Sequence, residues 1–235
     1  MPDVDPAARA AARKTLEKRI GHEFTDRSLL ARALTHRSAA ANHNERLEFL
    51  GDGILNFVIA AALFEAQPQA PEGDLSRLRA ALVREKTLAA IAGELALADL
   101  LVMGPGEQST GSRRRASIGA DAVEAVLGAI YCDAGFEATR DVILALYRDR
   151  LAELPSAASL KDAKTQLQEW LQARQLPRPA YEVVSVSGAD HAQTFVARCC
   201  LEEPEHAVEG RGTGRRKAEQ DAAAQMLAVL TRTDR

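Results

Sequence analysis

Three carboxylates lie along one face of a predicted helix near residue 50, and this feature constrains the fold more than any other. At 100° per residue, Glu45, Glu48 and Asp52 fall within about 60° of one another around the helix axis. A solvent-exposed helix usually pairs such acids with Lys or Arg one turn away, but the flanking partners here are apolar. The same face continues through Leu55 and Ile59. The pattern predicts an enclosed acidic site that needs a cation to keep its carboxylates ionised.

A second acidic pair lies on the helix predicted over residues 117–134. Asp121 and Glu124 are three residues apart and therefore share a helix face. A solvated polar face is the ordinary interpretation of such a pair, but the acidic stripe of the first helix favours a functional one. Beside the pair, Ala125 and Gly128 are small enough for another helix or a substrate to approach closely.

Packing the two acidic helices side by side would create an all-oxygen site. Such a site suits Mg²⁺ or Mn²⁺, which bind a few carboxylates, keep several waters and also bind phosphate oxygens. Two such ions can hydrolyse a phosphodiester, one activating water and the other stabilising the leaving oxygen. The residues expected to form the site are Glu48, Asp52, Asp121 and Glu124.

Composition narrows the class of protein. A net charge of −3 argues against a globally basic nucleic-acid binder, so a polyanion would be held by local patches or through metal ions. The three cysteines have no CxxC spacing, which indicates neither a disulfide framework nor a zinc site. The N-terminus lacks a signal peptide pattern, and the apolar run at residues 54–64 is shorter than the ~20 residues of a membrane span. We expect a soluble cytoplasmic protein without membrane association.

The chain divides into an all-α first part and a small α+β second part. Residues 1–153 carry only helical patterns, residues 154–159 have linker composition, and residues 160–231 follow the order α-β-β-β-α. In the acidic helix, the predicted core face consists of Leu47, Leu50, Ile54 and Val58.

Further elements are expected from helix start and stop signals and from turn residues. Asp26 should cap a short helix, and a long helix should run from Asp74 or Ser76 to Leu95. A loop is expected over residues 104–115, followed by helices at 117–134 and 139–151. In the second part, helices are expected at 161–175 and 215–230, and strands at 181–186, 194–201 and 206–210.

Residues 44–52 (Asn-Glu-Arg-Leu-Glu-Phe-Leu-Gly-Asp) resemble the signature of the ribonuclease III family, and residues 120–125 resemble its second acidic motif. Residues 34–38 and 72–77 also fit the family pattern. The resemblance implies an all-α endonuclease domain that cleaves double-stranded RNA as a homodimer, with Mg²⁺ or substituting Mn²⁺ and no organic cofactor. It implies 5′-phosphate and 3′-hydroxyl ends with a short 3′ overhang, and processing of rRNA precursors and other structured transcripts, including mRNA and tRNA precursors.

The resemblance also assigns roles by position in the first part. It implies that Glu48, Asp121 and Glu124 are metal ligands, that Asp52 is the carboxylate that positions or activates water, and that Glu124 is also catalytic. Outer acidic positions correspond to Glu45 and Glu72. Phe49 matches a dimer-contact position, while an ordinary core aromatic is the alternative interpretation. Gly53 stands where the family commonly has Ser.

Residues 160–231 resemble a double-stranded RNA-binding domain, a module that reads A-form shape across ~16 bp. The resemblance implies minor-groove contacts from the first helix and first hairpin, and phosphate contacts from the start of the last helix, where backbone N–H groups and cations coincide. Glu219 stands where many such domains have a further basic residue, which would weaken phosphate contact. The candidate RNA-binding residues are Thr165, Gln168, Glu169, His191, Arg215, Arg216 and Lys217.

Two other functions remain open from the residues. A non-catalytic double-stranded RNA-binding protein would use the acidic helix only structurally. A di-iron oxidase bundle would need a Glu-x-x-His pair on a helix, and in the one such spacing, Glu203-x-x-His206, Pro204 breaks the helix.

Overall fold

A computed structural model describes residues 6–108, 112–155, 161–189, 193–203 and 205–233 of the chain. The chain separates into two compact units, Met1–Pro155 and Ser156–Arg235. The described part of the first unit is helical, and that of the second contains two helices and three strands. The predicted fold class, an all-α domain followed by an α-β-β-β-α domain, is confirmed. Of the predicted linker at 154–159, residues 156–159 lie outside the described residues.

In its described residues, the first unit consists of a series of helices around a long apolar helix. Asp26 caps the second helix as predicted, because its carboxylate accepts a hydrogen bond of 2.9 Å from the Ser28 amide. The elements are α1 (Pro6–Ile20), α2 (Arg27–Ala33), α3 (Glu45–Ala66), α4 (Glu72–Val83), α5 (Glu85–Glu94), a 3₁₀ turn (Leu97–Asp99), α6 (Pro105–Gln108), α7 (Ser112–Leu146) and α8 (Arg148–Ala152).

Two glycines allow α3 and α7 to cross at very short range. A Cβ added to Gly51 would lie 1.8 Å from the carbonyl oxygen of Glu124, and one added to Gly128 would lie 2.1 Å from that of Leu47. Only residues without a side chain can therefore occupy these positions. The close approach expected at Gly128 is confirmed. The crossing brings the acidic turn of α3 against the acidic turn of α7.

Several predicted boundaries in this unit are wrong. The long helix expected to end at Leu95 is divided at Arg84, whose extended backbone (φ −66°, ψ 153°) separates α4 from α5. The loop expected over 104–115 contains α6 and the beginning of α7, while residues 109–111 lie outside the described residues. The helix expected at 117–134 lies within α7, and the one expected at 139–151 is divided between the last part of α7 and α8; the positive φ of Gly135 (80°) interrupts α7 between the two predicted helices.

The core face of α3 is only partly as predicted. Leu47 and Val58 are buried, but Leu50 and Ile54 are half-buried, so their assignment to the core is wrong. These two side chains instead border the exposed rings of Phe49 and Phe57. The buried arc of α3 runs through Leu47, Gly51, Leu55, Val58, Ile59 and Leu63.

By length and composition alone, α3 could cross a membrane: it has 22 residues and a mean hydropathy of 1.7 over its most apolar window. It is the only helix of the described residues with this property. Its first two turns carry three acids, and it packs along α7 through the glycine crossing. The apolar character of α3 is therefore that of a central helix in a helical unit.

The second unit packs two helices on one face of an antiparallel sheet. Its elements are α9 (Ala163–Ala173), β1 (Ala180–Ser187), β2 (Thr194–Leu201), β3 (His206–Gly212) and α10 (Arg215–Thr233), with strand order β1-β2-β3. Trp170 and Tyr181 pack against the core of this unit. The third strand extends two residues beyond the expected 206–210, and an added Cβ on Gly210 or Gly212 would lie 2.0 or 2.5 Å from backbone nitrogens of α10.

Candidate metal centre and nucleic-acid interface

The α3–α7 crossing brings three half-buried carboxylates together. Glu48 of α3 and Asp121 and Glu124 of α7 each offer an oxygen, and these oxygens all lie within 4.8 Å of one another. Such an all-oxygen donor set is the kind that Mg²⁺ and Mn²⁺ prefer. The three residues are those that the family resemblance implied as metal ligands.

The electrostatics of this acidic cluster favour the binding of a cation. Burial, followed by the charges of Asp52, Glu48 and Asp121, raises the pKa of Glu124 to about 8. The pKa of Glu48 is raised by burial and then by Asp121, Glu45 and Asp52, although Arg37 opposes the shift. Mutual repulsion of this kind is relieved when a divalent cation binds the carboxylates. The donor set and its charge therefore fit a metal ion.

Asp52 borders the cluster without joining it. Its carboxylate accepts a hydrogen bond of 2.7 Å from the Asn56 side chain, one helical turn away, and its side chain is exposed. Asp52 nevertheless lies close enough that its charge raises the pKa of Glu124 more than any other neighbouring charge does. The residue thus stands at the solvent side of the three ligands.

The two outer acidic candidates occupy different places. Glu45 is exposed at the start of α3, where it accepts a hydrogen bond of 3.0 Å from Arg37. Glu72 accepts one of 2.7 Å from the Ser76 hydroxyl and lines a cavity with Ala60. Ala60 lies twelve residues after Glu48 on α3, which corresponds to about 18 Å along the helix axis. Because Glu72 lies beside Ala60, it is separated from the acidic cluster of its own chain by about this distance.

Three charged or titratable residues at the site carried no functional prediction. Glu85, the first residue of α5, raises the pKa of Asp121, after the larger effect of burial, while His36 and Arg37 lower it. The loop of His36 is anchored, since its amide donates to Val102 and its ring Nδ1 lies 2.8 Å from the Ser38 hydroxyl. The family resemblance at residues 34–38 was the available signal for the basic pair, whereas nothing local marks Glu85.

An exposed aromatic surface adjoins the acidic cluster. Phe49 is 83% exposed and Phe57 is 60% exposed, so the interpretation of Phe49 as a core aromatic is wrong. The ring of Phe57 lies 5.8 Å from that of Phe136 across the α3–α7 groove. We call this surface the aromatic face; it surrounds a shallow cavity of about 400 Å³ lined by Phe49, Leu50, Asp52, Gly53, Ile54, Phe57, Tyr131 and Phe136.

In the second unit, the candidate contacts of α9 share one helix face. Asp162 caps this helix by accepting a hydrogen bond of 2.9 Å from the Thr165 amide. Gln168 and Glu169 follow one turn later and are exposed, and Glu169 forms an ion pair of 2.5 Å with Lys161. The face offers amide and carboxylate groups suited to hydroxyl and base-edge contacts.

The basic candidates are the first three residues of α10, where the helix N-terminus also favours anions. Arg215, Arg216 and Lys217 are exposed, and Lys217 donates to the Thr213 hydroxyl at 3.1 Å. Arg215 donates through Nε to the carboxylate of Glu219 at 2.8 Å. His191 lies outside the described residues.

Both units match families of known proteins. Residues 26–151 match the Ribonuclease-III-like family, and residues 163–230 match the double-stranded RNA binding motif. Curated proteins named Ribonuclease 3 are similar over most of the chain. The protein from Xanthomonas axonopodis pv. citri is 56% identical over 90% of this chain and 93% of its own length, and that from Alkalilimnicola ehrlichii is 56% identical over 92% and 94%.

Solved structures resemble the first unit. A nuclease domain of ribonuclease III from Campylobacter jejuni, described as flexible in a region involved in dimer formation, is 44% identical and has a TM-score of 0.57. It matches 60% of this chain and 99% of that domain. A second structure of the same domain, at 2.2 Å resolution, is 40% identical over 66% of this chain, also with a TM-score of 0.57.

Proposed function

The chain belongs to the ribonuclease III family of endoribonucleases, with a nuclease domain and a double-stranded RNA-binding domain, and on this premise we propose that it cleaves double-stranded RNA by Mg²⁺-dependent hydrolysis. The products carry 5′-phosphate and 3′-hydroxyl ends with a short 3′ overhang. The observation that carries the proposal is the acidic cluster, in which three carboxylate oxygens lie within 4.8 Å of one another and the charges acting on Glu124 are those of further acids.

Glu48, Asp121 and Glu124 would hold Mg²⁺, for which Mn²⁺ can substitute. When bound, the metal supplies activation of the attacking water and stabilisation of the leaving oxygen. Because burial and neighbouring acids raise the pKa of Glu124 to about 8, its carboxyl group would release a proton when the metal binds. Asp52, exposed at the rim and oriented by Asn56, holds and orients the attacking water. Glu45 remains an outer acidic group that orients Arg37 towards the site.

The second unit supplies the affinity for duplex RNA. Thr165, Gln168 and Glu169 contact a minor groove, and the first residues of α10 bind phosphates across the adjacent major groove. His191 would add a second minor-groove contact. Since the chain has a net charge of −3, duplex affinity depends on this local basic cluster and on the metal site.

The active form is a homodimer that associates through the aromatic face. A side chain that is 83% exposed, as Phe49 is, gains about 2 kcal/mol or more when a second copy covers it. A two-fold dimer brings one acidic cluster to each strand of the duplex, whose strands are also related by two-fold axes. The Campylobacter jejuni nuclease domain is described as having a region involved in dimer formation, which supports a homodimer. A two-fold dimer also allows Glu72 to serve the acidic cluster of the partner subunit.

The biological role that fits this chemistry is the processing of rRNA precursors and other structured transcripts, including mRNA and tRNA precursors, in the cytoplasm. The functional domains extend over residues 1–153 and 160–231, joined by a linker at 154–159. The family matches at 26–151 and 163–230 are compatible with these limits.

The test compares cleavage of long duplex RNA and single-stranded RNA by the wild type and by Glu124→Gln, in Mg²⁺ and in EDTA. We expect duplex-specific cleavage by the wild type in Mg²⁺ alone, and duplex binding without cleavage by the variant. Glu23→Gln, which changes an exposed acid distant in sequence from both acidic motifs, serves as the matched control and should cleave normally. Cleavage by Glu124→Gln, or by the wild type in EDTA, would contradict the mechanism, whereas duplex binding without cleavage by the wild type in Mg²⁺ would favour a binding-only protein.

A further inference from the structure

Glu219 in the second unit is a buried carboxylate held by cations from two helices. The residue is 8% exposed, and its two oxygens accept hydrogen bonds of 2.8 Å from Arg215 Nε on the same helix and 2.8 Å from Lys164 Nζ on α9. These contacts lower its pKa below the ordinary value. At neutral pH, the three groups therefore form a fully charged bridge between α9 and α10.

Neighbouring contacts fix the same junction. The Lys164 amide donates to the Gln220 side chain at 3.1 Å, and its ammonium group lies 4.1 Å from the centre of the Tyr181 ring. Asp162, the cap of α9, also forms a hydrogen bond with Gln220. The first turns of both helices are thus joined through side chains, with Glu219 at the centre.

Each helix start carries candidate RNA contacts. Thr165 directly follows Lys164 on α9, and Arg216 and Lys217 lie between Arg215 and Glu219 on α10. A module that reads A-form shape contacts grooves and phosphates at fixed separations, so the distance between its two contact helices must also be fixed. A charged bridge between these helix starts has the position needed to set that distance.

We propose that Glu219 is a positioning residue for duplex recognition, because its bridge to Lys164 and Arg215 sets the spacing between the minor-groove contacts of α9 and the phosphate contacts of α10. The proposal rests on the proposed function of this unit in binding double-stranded RNA. Arg215 remains 69% exposed at its side chain, so the bridge orients this guanidinium without removing it from the RNA-binding surface.

A positioning role for Glu219 and a purely repulsive one predict opposite changes in duplex affinity when Glu219 is replaced. If Glu219 only repelled RNA, replacing it with Gln would raise the local positive charge and tighten binding. If Glu219 positions the two helices, the same replacement releases Lys164 and Arg215 and weakens duplex binding despite the gain in positive charge.

The experiment measures equilibrium binding of the full chain in EDTA to a duplex RNA and to a duplex DNA of the same sequence. Glu219→Gln should lower affinity for duplex RNA about tenfold, and should reduce the ratio of RNA to DNA affinity. Glu209→Gln is the matched control, since Glu209 also forms an ion pair, 2.7 Å from Arg198, but on the sheet. It should change affinity less than about twofold.

The affinity ratio separates positioning from a loss of folded protein, which would scale RNA and DNA binding equally. Trp170, the only tryptophan and part of this unit's packing, reports folding independently by fluorescence. An unchanged or tighter RNA affinity, or an unchanged ratio, would overturn the proposal. Failure of the wild type to prefer duplex RNA would instead overturn the proposed function of the unit.

Discussion

The acidic cluster of the first unit and the Glu219 bridge of the second use the same side-chain chemistry with opposite consequences. Burial and neighbouring acids raise the pKa of Glu124 to about 8, whereas Arg215 and Lys164 lower that of Glu219. Both carboxylates are held by helix packing, so the difference lies in the counter-charge. A buried acid matched by cations of the same chain serves the structure, while one surrounded by further acids indicates a cation that the chain does not supply.

The apolar side chains of α3 show a similar contrast between residues that the chain covers and residues that it leaves exposed. Leu55 and Ile59 of α3 are covered by the first unit itself, whereas Phe49 on the same helix is 83% exposed. A large ring without a covering partner indicates a second protein surface, as an acid without a counter-charge indicates a cation. The proposed active site and the proposed dimer contact are therefore both found at features that the single chain leaves unmatched.

The largest expected effect comes from removing an unmatched acid. Asp121→Asn and Glu124→Gln should each reduce the rate of duplex cleavage at saturating Mg²⁺ about 10³-fold or more, because each removes a proposed metal ligand. Single-turnover cleavage of a defined duplex measures the effect. If either variant kept more than about a tenth of the wild-type rate, the role of that residue as a ligand would be wrong.

The glycine crossing should be the most sensitive position for the geometry of the acidic cluster. Gly51→Ala places a methyl group 1.8 Å from the Glu124 carbonyl oxygen, so α3 and α7 must separate. We expect a loss of about 3 kcal/mol or more in the free energy of unfolding, together with loss of cleavage. Urea denaturation followed by circular dichroism measures the first effect.

Gly53→Ala is the matched control for this prediction. The substitution lies two residues further along the same helix, where an added Cβ meets nothing within 4 Å. Alanine should therefore stabilise the helix by about 0.5–1 kcal/mol. Equal destabilisation by the two substitutions would mean that close contact at the crossing is not what requires Gly51.

Whether a second copy of the chain covers the aromatic face can be tested by measuring dimer formation. Phe49→Ala should raise the dimer dissociation constant about 30-fold or more, since a central aromatic contact contributes about 2 kcal/mol or more to such interfaces. Sedimentation equilibrium measures it. The same variant should unfold at the denaturant concentration of a wild-type monomer, because the ring is exposed within one chain. Val184→Ala, an exposed apolar side chain of the second unit, should leave the dimer unchanged.

Features that depend on local spacing could be predicted from the sequence. The stripe of Glu48 and Asp52, the pair at Asp121 and Glu124, and the α-β-β-β-α order all follow from helix and strand periods and from turn residues. The interruption at Arg84 could not, since neither Pro nor Gly marks it and tertiary packing decides the break between α4 and α5.

Other predictions could not be made correctly because a local sequence pattern does not specify which surface or side chain a residue will contact. Leu50 and Ile54 have the spacing of a core face, yet they border a surface that one chain leaves open, and periodicity does not distinguish burial within a chain from burial between chains. Glu85 acts on Asp121 only because α5 packs near α7. Its proximity is a tertiary property without a local signal.

The smallest expected effect is a difference in pH dependence, and it tests the opening comparison most directly. The pKa of Glu124 is raised in the folded chain, so its contribution to stability is fully present below the unfolded value near 4.5 and is lost as pH rises through about 8. Without metal, Glu124→Gln should therefore be more stable than the wild type at pH 8 by about 1–2 kcal/mol, after allowance for partial exposure of the carboxylate. Denaturation in EDTA between pH 5 and pH 9, followed by circular dichroism, measures this difference.

Glu219 should show the opposite sign. Its pKa is lowered on folding, so its contribution is present above the unfolded value near 4.5 and is lost as pH falls further. Glu219→Gln should therefore be less stable than the wild type at pH 7, by about 1–2 kcal/mol, because Lys164 and Arg215 lose their shared acceptor. Trp170 fluorescence follows this unit alone. If Glu124→Gln destabilised the metal-free protein at pH 8, or Glu219→Gln stabilised it at pH 7, the distinction between an unmatched and a matched carboxylate would fail at that residue, since counter-charges from the folded chain offset the effect of burial at Glu219 and not at Glu124.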